Sequence, residues 1–385
     1  MKILFVHDGP IIQDVDGRYH AYSFENMHER YSVFSHDISL LIRVKKIEEK
    51  KSLSLINDSI KIIEVPDFKK ISVFLKNLRK AKKIIRESVL QSDFVILKMH
   101  SSNAFIAYRY AKKYNKPFLS EFVSCAWDSY WNYSFLGKLL APIMELQTKI
   151  VAKNSPFNYY VTKAFLQTHY PSKGLSLGCS DVVLGSLDDS ILDERLKKIK
   201  CMNPSKPIIL GTAASLDVKY KGQQYVIKAL SLLRKQGYNV EYHLAGSHDP
   251  NNCFLFEVAK KNGVHNYVKY VGVFDNKGIL DFYDSIDIYI QPSKQEGLPR
   301  SVVEAMSRGC PVLGSKLAGI PELVDDRYMF KKGNVYDISN KIKNLLQSDL
   351  KVVSKTNFEH AKDFQYEVLN KKRLDFYKIV NEKIK

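Results

Sequence analysis

The sequence predicts an α/β protein of two doubly wound domains, each a mostly parallel sheet with helices on both faces. Short apolar runs alternate with amphipathic helical segments, the pattern of a parallel sheet wrapped by helices. The alternation breaks once, over a polar stretch near residue 190, and then resumes. The 385 residues exceed one ordinary core but suit two domains of about 150–200 residues each.

In the first half, strand-like runs cover 2–7, 37–44, 61–65, 93–99 and 116–123. Between them, 102–115 repeats apolar residues near i, i+3 and i+4, which predicts a helix. These segments make an N-terminal domain over 1–190. Residues 186–206 are polar and charged and run into Pro204 and Pro207, so 191–206 reads as the linker. A second series follows. Its strands are 207–213, 240–246, 268–273, 286–293 and 310–315, and its helices are 222–237, 254–263, 277–286 and 301–309. They define a C-terminal domain over 207–365. Residues 366–385 read as a last helix that packs back on the N-terminal domain.

Composition narrows the function. The chain is 45% hydrophobic and 26% charged, ordinary globular values. A net charge of +18 favours anionic partners such as nucleic acid, membrane lipid or phosphorylated substrates. Lys69–Arg86 holds eight basic residues and no acid, with Phe74, Leu78, Ala81 and Ile85 on one helical face. Two readings stay open for it: an interfacial helix on anionic lipid, or a surface helix packed on the sheet with a solvated basic face. Basic residues are not interleaved with stacking aromatics, so no nucleic-acid partner is expected. The cysteines, Cys125, Cys179, Cys201, Cys253 and Cys310, are scattered without a Cys-x-x-Cys pair, which predicts no metal site and a reducing cytoplasm. The start MKILFVHDGP lacks a signal-peptide pattern, and no run approaches a membrane span. The expected location is cytoplasmic, with peripheral contact at the membrane face through Lys69–Arg86.

Open α/β sheets bind ligands where strands run into helices, so the loops after strands matter most. The densest is QPSKQEGLPRSVVEAMSRGCPVLGSKLAGIPELV, Gln291–Val324. Its strand ends at Pro292 and Ser293. Pro299 suits a helix start and Gly309 a helix end. Gly297 lets the backbone approach a ligand, and amides around 297–301 are free donors for an anion such as a diphosphate. Glu296 in the loop can accept from sugar hydroxyls. Glu304, flanked by apolar residues early in the helix, needs a partner, and ribose hydroxyls suit it. A dipole-complementing charge and a solvated helix residue are the plainer alternatives for the two acids.

The Glu-x7-Glu spacing of Glu296 and Glu304, inside PS-x2-EG-x-P-x4-EAM-x2-G-x-PV and before AGIPE, closely resembles retaining glycosyltransferases of family 4. The dense match covers about 35 residues, and weaker likeness extends through the C-terminal domain. The resemblance implies the GT-B fold, two facing Rossmann-like domains with a cleft between them. It implies that Glu296 and the amides of Gly297, Leu298 and Pro299, with Ser293 beside them, hold the donor sugar and phosphates, and that Glu304 holds the ribose. In GTAASLDVKYKGQQ, Lys221 and Gly222 match the family's Lys-Gly pair on the diphosphate. The family's arginine is missing: Ser215 stands nearest its place and Lys219 is the substitute cation. Gly246 matches a small-residue turn facing the donor. In the N-terminal domain, Glu121, Asp128 and His100 are the candidates for orienting the acceptor or stabilising charge on the sugar.

The implied activity is a hexosyltransferase-type retaining glycosyltransferase. It uses a nucleotide-sugar donor such as a UDP- or GDP-sugar, with no cofactor or metal, and a lipid-linked saccharide acceptor. The implied setting is bacterial capsule or O-antigen polysaccharide assembly. A GT-B sugar-nucleotide epimerase, an inactive scaffold and a basic nucleic-acid-binding protein are the alternatives.

Overall fold

The computed structural model describes residues 1–21, 24, 27–47, 54–68, 73–203, 205–249, 253–275 and 277–385. The chain divides into two compact units. The first comprises Met1–Trp127, Leu139–Cys179 and Lys371–Lys385; the second comprises Asp128–Lys138 and Ser180–Asn370.

The first unit is built on seven parallel strands: β1 (Ile3–Val6), β2 (Ile38–Ile42), β3 (Lys61–Glu64), β4 (Phe94–Met99), β5 (Phe118–Phe122), β6 (Phe157–Tyr160) and β7 (Leu175–Gly178). Their order is β7-β6-β5-β4-β1-β2-β3. All four residues of β1 and all five of β5 are buried; β1 reads as an unbroken apolar run, while β5 carries Ser120 and Glu121. The chain winds outward from β1 on one side and from β4 on the other, so the strand order reverses between these two neighbours.

The second unit repeats the plan with β8 (Ile208–Ala213), β9 (Val240–Ala245), β10 (Val268–Gly272), β11 (Ile288–Gln291), β12 (Val312–Ser315) and β13 (Met329–Phe330), ordered β10-β9-β8-β11-β12-β13. Its core gathers Leu210, Val226, Leu230, Tyr242, Ile288, Ile290, Leu313 and Ile338, all fully buried. The order reverses between β8 and β11, which pair directly in parallel.

The expected linker is corrected. Asp189–Lys200 is a helix, capped by Asp188, whose side chain accepts from Ser190 N. Leu192, Leu196 and Ile199 are partly buried along one face, and its fully buried anchor is an arginine. Buried Arg195 donates to the carbonyls of Tyr283, Ile286 and Arg308 at 2.6, 2.7 and 3.0 Å. A guanidinium, with its several donors, suits such a slot of carbonyls.

The basic segment is partly decided. Lys69 and Lys70 lie outside the described residues. The helix Phe74–Gln91 buries Ala81, Ile85, Ser88 and Val89, while Lys76, Arg79, Lys80, Lys82, Lys83 and Arg86 are exposed. Its apolar face is used by the fold, with Phe74 left outside.

Another helix is inverted. Over its stretch in the first unit, Phe135–Asn154 buries Ala141, Glu145, Thr148 and Ala152 and exposes Leu139, Ile143, Leu146 and Ile150. Among the described residues, no helix is long and apolar enough to cross a membrane.

Candidate active site

The carboxyl ends of β8 and β11 carry the two loops that the sequence singled out. They meet at the point where the strand order of the second unit reverses, the usual ligand position in an open α/β sheet.

The loop after β8 makes a 3-10 turn, Lys219–Lys221, and reaches Gly222 before the helix Gln223–Lys235. Gly222 sits at φ 83°, and a side-chain carbon there would run into the carbonyl of Pro292 in the other loop. The glycine is thus required twice, by conformation and by contact. Lys294 N donates to Tyr220 O at 2.7 Å, a second tie between the loops. Gly246, at φ 134°, presses on the carbonyl of Ala214, so the turn after β9 supports the same loop from its other side.

The loop after β11 carries Glu296, whose side chain is 11% exposed. Its Oε1 receives three donors: Lys221 Nζ at 2.8 Å, Ser293 Oγ at 2.7 Å and Gln291 Nε2 at 2.9 Å. Gln291 is itself fixed, because its Oε1 accepts from Tyr289 Oη at 2.7 Å and Ser301 Oγ at 3.1 Å. The result is a carboxylate locked through one oxygen, with Oε2 taking no hydrogen bond among the described residues. Ser293 is fully buried, and its side chain serves Glu296; the expectation that it touches the donor is corrected.

The helix Arg300–Ser307 follows, with Pro299 as its N-cap. Pro299 has no N–H, so the expected trio of donor amides is also corrected. The N–H groups of Gly297, Leu298, Arg300 and Ser301 make no hydrogen bond among the described residues, leaving free donors at the helix start. Gly297 O accepts from Gly319 N at 2.8 Å, tying the loop to the AGIPE segment. On the same helix, Glu304 is partly exposed and accepts from Tyr283 Oη at 2.9 Å, with Arg300 Nε 3.9 Å away.

Not every expected residue joins this cluster. Lys219 is exposed, with its ammonium 5.5 Å from the centre of the Phe254 ring, so it does not stand beside Lys221. Ser215 Oγ reaches Ser247 O at 3.3 Å. A cleft of about 480 Å³ in this unit, lined by Leu323, Arg327, Val352 and His360 among others, contains none of the site residues.

In the first unit Glu121 is corrected outright. It is fully buried inside the fold, where Tyr31 Oη donates at 2.6 Å, Tyr377 Oη at 3.4 Å, Lys98 Nζ at 3.3 Å and Arg30 Nη2 at 3.5 Å. Such a carboxylate holds a core together and has no face left for an acceptor. His100 lies one residue past β4, at this unit's own reversal point. Sequence reading passed over Asp8 in the facing loop after β1. Its carboxylate accepts from Ser102 N and Asn103 N at 3.0 and 2.9 Å, capping the helix that His100 leads into. An Asp just past an apolar strand was the available signal.

Comparison with known proteins agrees with the second unit's geometry. The model of the family described as glycosyl transferases group 1 matches residues 207–348. Protein CapJ of Staphylococcus aureus is 31% identical over 353 residues, 90% of this chain and 87% of that protein. The N,N'-diacetylbacillosaminyl-diphospho-undecaprenol alpha-1,3-N-acetylgalactosaminyltransferase of Campylobacter jejuni is 30% identical over 148 residues, 37% of this chain and 36% of that one. Among solved structures, Anabaena Alr3699/HepE in complex with UDP-glucose superposes with a TM-score of 0.64 at 15% identity, covering 98% of this chain and 99% of that chain.

Proposed function

This chain belongs to the group 1 glycosyl transferases, and from that premise we propose that it moves a sugar, with retention of configuration, from a nucleoside-diphosphate sugar to a hydroxyl of a lipid-linked saccharide in surface-polysaccharide assembly. It is a transferase with the two-unit GT-B fold.

The donor diphosphate lies against the free N–H groups of Gly297, Leu298, Arg300 and Ser301, with Lys221 as the side-chain cation. Fixed N–H dipoles and one ammonium stabilise the leaving diphosphate as the C1–oxygen bond breaks, without reorganising at that moment. Glu296 offers Oε2 to the sugar hydroxyls, and Glu304 takes the ribose. The acceptor attacks the face the diphosphate leaves, and the departing phosphate oxygen takes its proton. A UDP-sugar is the first donor to try, since Alr3699/HepE holds UDP-glucose. The lipid-linked acceptor follows the named substrate of the Campylobacter relative. The observation that carries the reading is the Lys221–Glu296 pair at 2.8 Å, which joins the two loops at the reversal point of the sheet.

Membrane contact moves from Lys69–Arg86 to the helix Phe135–Asn154. Leu139, Ile143, Leu146 and Ile150 are 61%, 53%, 60% and 44% exposed at successive i+4, i+3, i+4 steps, flanked by exposed Lys149 and Lys153. The helix carries no exposed acid along this stretch, so its surroundings suit anionic lipid and disfavour a second copy of itself.

Screening UDP- and GDP-sugars for thermal stabilisation, then reading the anomeric configuration of the product by NMR, tests the proposal. Stabilisation by one nucleotide sugar and a product of unchanged configuration is expected. Inversion, or release of an epimerised nucleotide sugar without transfer, overturns it.

A further inference from the structure

The sequence spacing showed no metal motif, yet the fold gathers a thiol, an imidazole and a carboxylate in the first unit. Cys125 precedes the short helix Ala126–Trp131, Glu145 lies mid-way along Phe135–Asn154, and His169 ends Phe165–His169. We propose that Cys125, Glu145 and His169 bind a thiophilic divalent cation, zinc above all.

The three ligand atoms lie within 4.8 Å of one another. Cys125 Sγ and His169 Nε2 are 3.5 Å apart. Ligands at ordinary zinc–sulfur and zinc–nitrogen distances, held tetrahedrally, stand about 3.5 Å apart. His169 Nε2 and Glu145 Oε1 are 2.8 Å apart and would open by roughly half an ångström around an ion.

A second observation points the same way. Glu145 Oε1 is buried and makes no hydrogen bond, although His169 Nε2 and Lys149 Nζ stand at 2.8 and 3.1 Å. The imidazole and the carboxylate thus already approach one another within the reach of a shared ion. The other oxygen, Oε2, is fixed from behind: Tyr170 Oη donates at 2.8 Å and in turn accepts from Ala126 N at 2.7 Å. That is the outer-sphere support metal-binding carboxylates usually have.

Charge and access fit as well. A thiolate and a carboxylate balance a divalent ion, which relieves the cost of burying them. Lys149 is half exposed and free to leave Glu145 for water. A cleft of about 560 Å³, lined by Lys149, Thr168, His169 and Ser172 among others, reaches His169 from solvent. The ion would clamp three helical elements together, so its effect is on stability.

The test uses the full chain, carrying no histidine tag and stripped with a chelator, titrated with Co²⁺. One Co²⁺ per chain is expected, with a thiolate charge-transfer band and the visible absorption of a tetrahedral site, both removed by Zn²⁺. Cys125→Ser should abolish the charge-transfer band, and Glu145→Gln should weaken Zn²⁺ binding by at least about tenfold. Cys201→Ser, at an exposed thiol, should change neither. Absence of the band in the wild-type chain, or its survival in Cys125→Ser, overturns the proposal. Should Cys125→Ser not fold, X-ray absorption at the zinc edge of the wild-type chain decides. Sulfur in the first coordination sphere supports the site, and an all-oxygen sphere sinks it.

Discussion

Lys221 Nζ lies 2.8 Å from Glu296 Oε1, a side-chain bridge between loops that follow neighbouring parallel strands and are 75 residues apart in sequence. The lysine orients the glutamate, and the glutamate holds the lysine near the helix end where a diphosphate would sit. Lys221→Met should lower kcat/KM by about 100-fold, the usual cost of one preorganised donor at a developing charge. Glu296→Gln should lower turnover. The double variant should lose much less than the product of the two, because each change already dismantles the other's arrangement. Steady-state kinetics on the four proteins checks this, and independent, multiplying losses would contradict it.

Gly222 and Gly237 form a matched pair for separating conformation from contact. Both have positive φ, 83° and 85°, but a side-chain carbon at Gly222 meets the Pro292 carbonyl, whereas at Gly237 it meets nothing within 4 Å. Gly237→Ala should cost about 1 kcal/mol. Gly222→Ala should cost more and also erase stabilisation by a UDP-sugar, since the loops must separate. Thermal unfolding with and without nucleotide sugar measures both effects.

Glu121 should prove structural. Replacing it with alanine strips Arg30 and Lys98 of a shared buried partner, and should destabilise the protein by about 3 kcal/mol. Donor affinity of the folded fraction should be unchanged. Denaturant unfolding and calorimetric titration separate the two.

His243 gives a pH signature. Burial pulls its imidazole below the ordinary value of 6.5, while Glu241, 3.3 Å away, and Asp287 oppose this and Lys269 adds to it. With a depressed folded pKa, the unfolded chain takes up the proton first. The neutral ring's contribution is therefore complete above pH 6.5 and falls as pH drops from there through the folded pKa. His243→Gln should flatten that part of the stability profile, as read by chemical denaturation across pH.

The exposed face of Phe135–Asn154 should matter for lipid and for little else. Ile143→Glu with Leu146→Glu places charges on residues 53% and 60% exposed, so the melting temperature should hold. Co-sedimentation with phosphatidylglycerol vesicles should be lost, while binding to pure phosphatidylcholine stays weak in both proteins.

What was legible in the sequence was local. Glu296, Glu304 and the helix start between them lie within one turn-and-helix unit, so the unit as a whole, with its family resemblance, singled them out. The buried strands were legible because neither face meets water and most of their residues are apolar, as in Ile3–Val6. Long-range relations were not. Nothing near Gly222 announces that Pro292 will press on it. Glu121 follows a strand pattern equally compatible with a site or a core, and only the approach of Tyr31 and Tyr377 decides. The helix Asp189–Lys200 looked like a linker because charged residues outnumber its apolar ones, and its deepest anchor is Arg195. The inverted helix Phe135–Asn154 was missed because hydrophobic periodicity tells that a face exists, not whether it points inward.

The most direct measurement is a crystal structure of the chain with a UDP-sugar bound. The account predicts the diphosphate against the N–H groups of Gly297, Leu298, Arg300 and Ser301, with Lys221 on its oxygens, Glu296 on the sugar and Glu304 on the ribose. A nucleotide bound elsewhere, with this helix start still facing water, would contradict it.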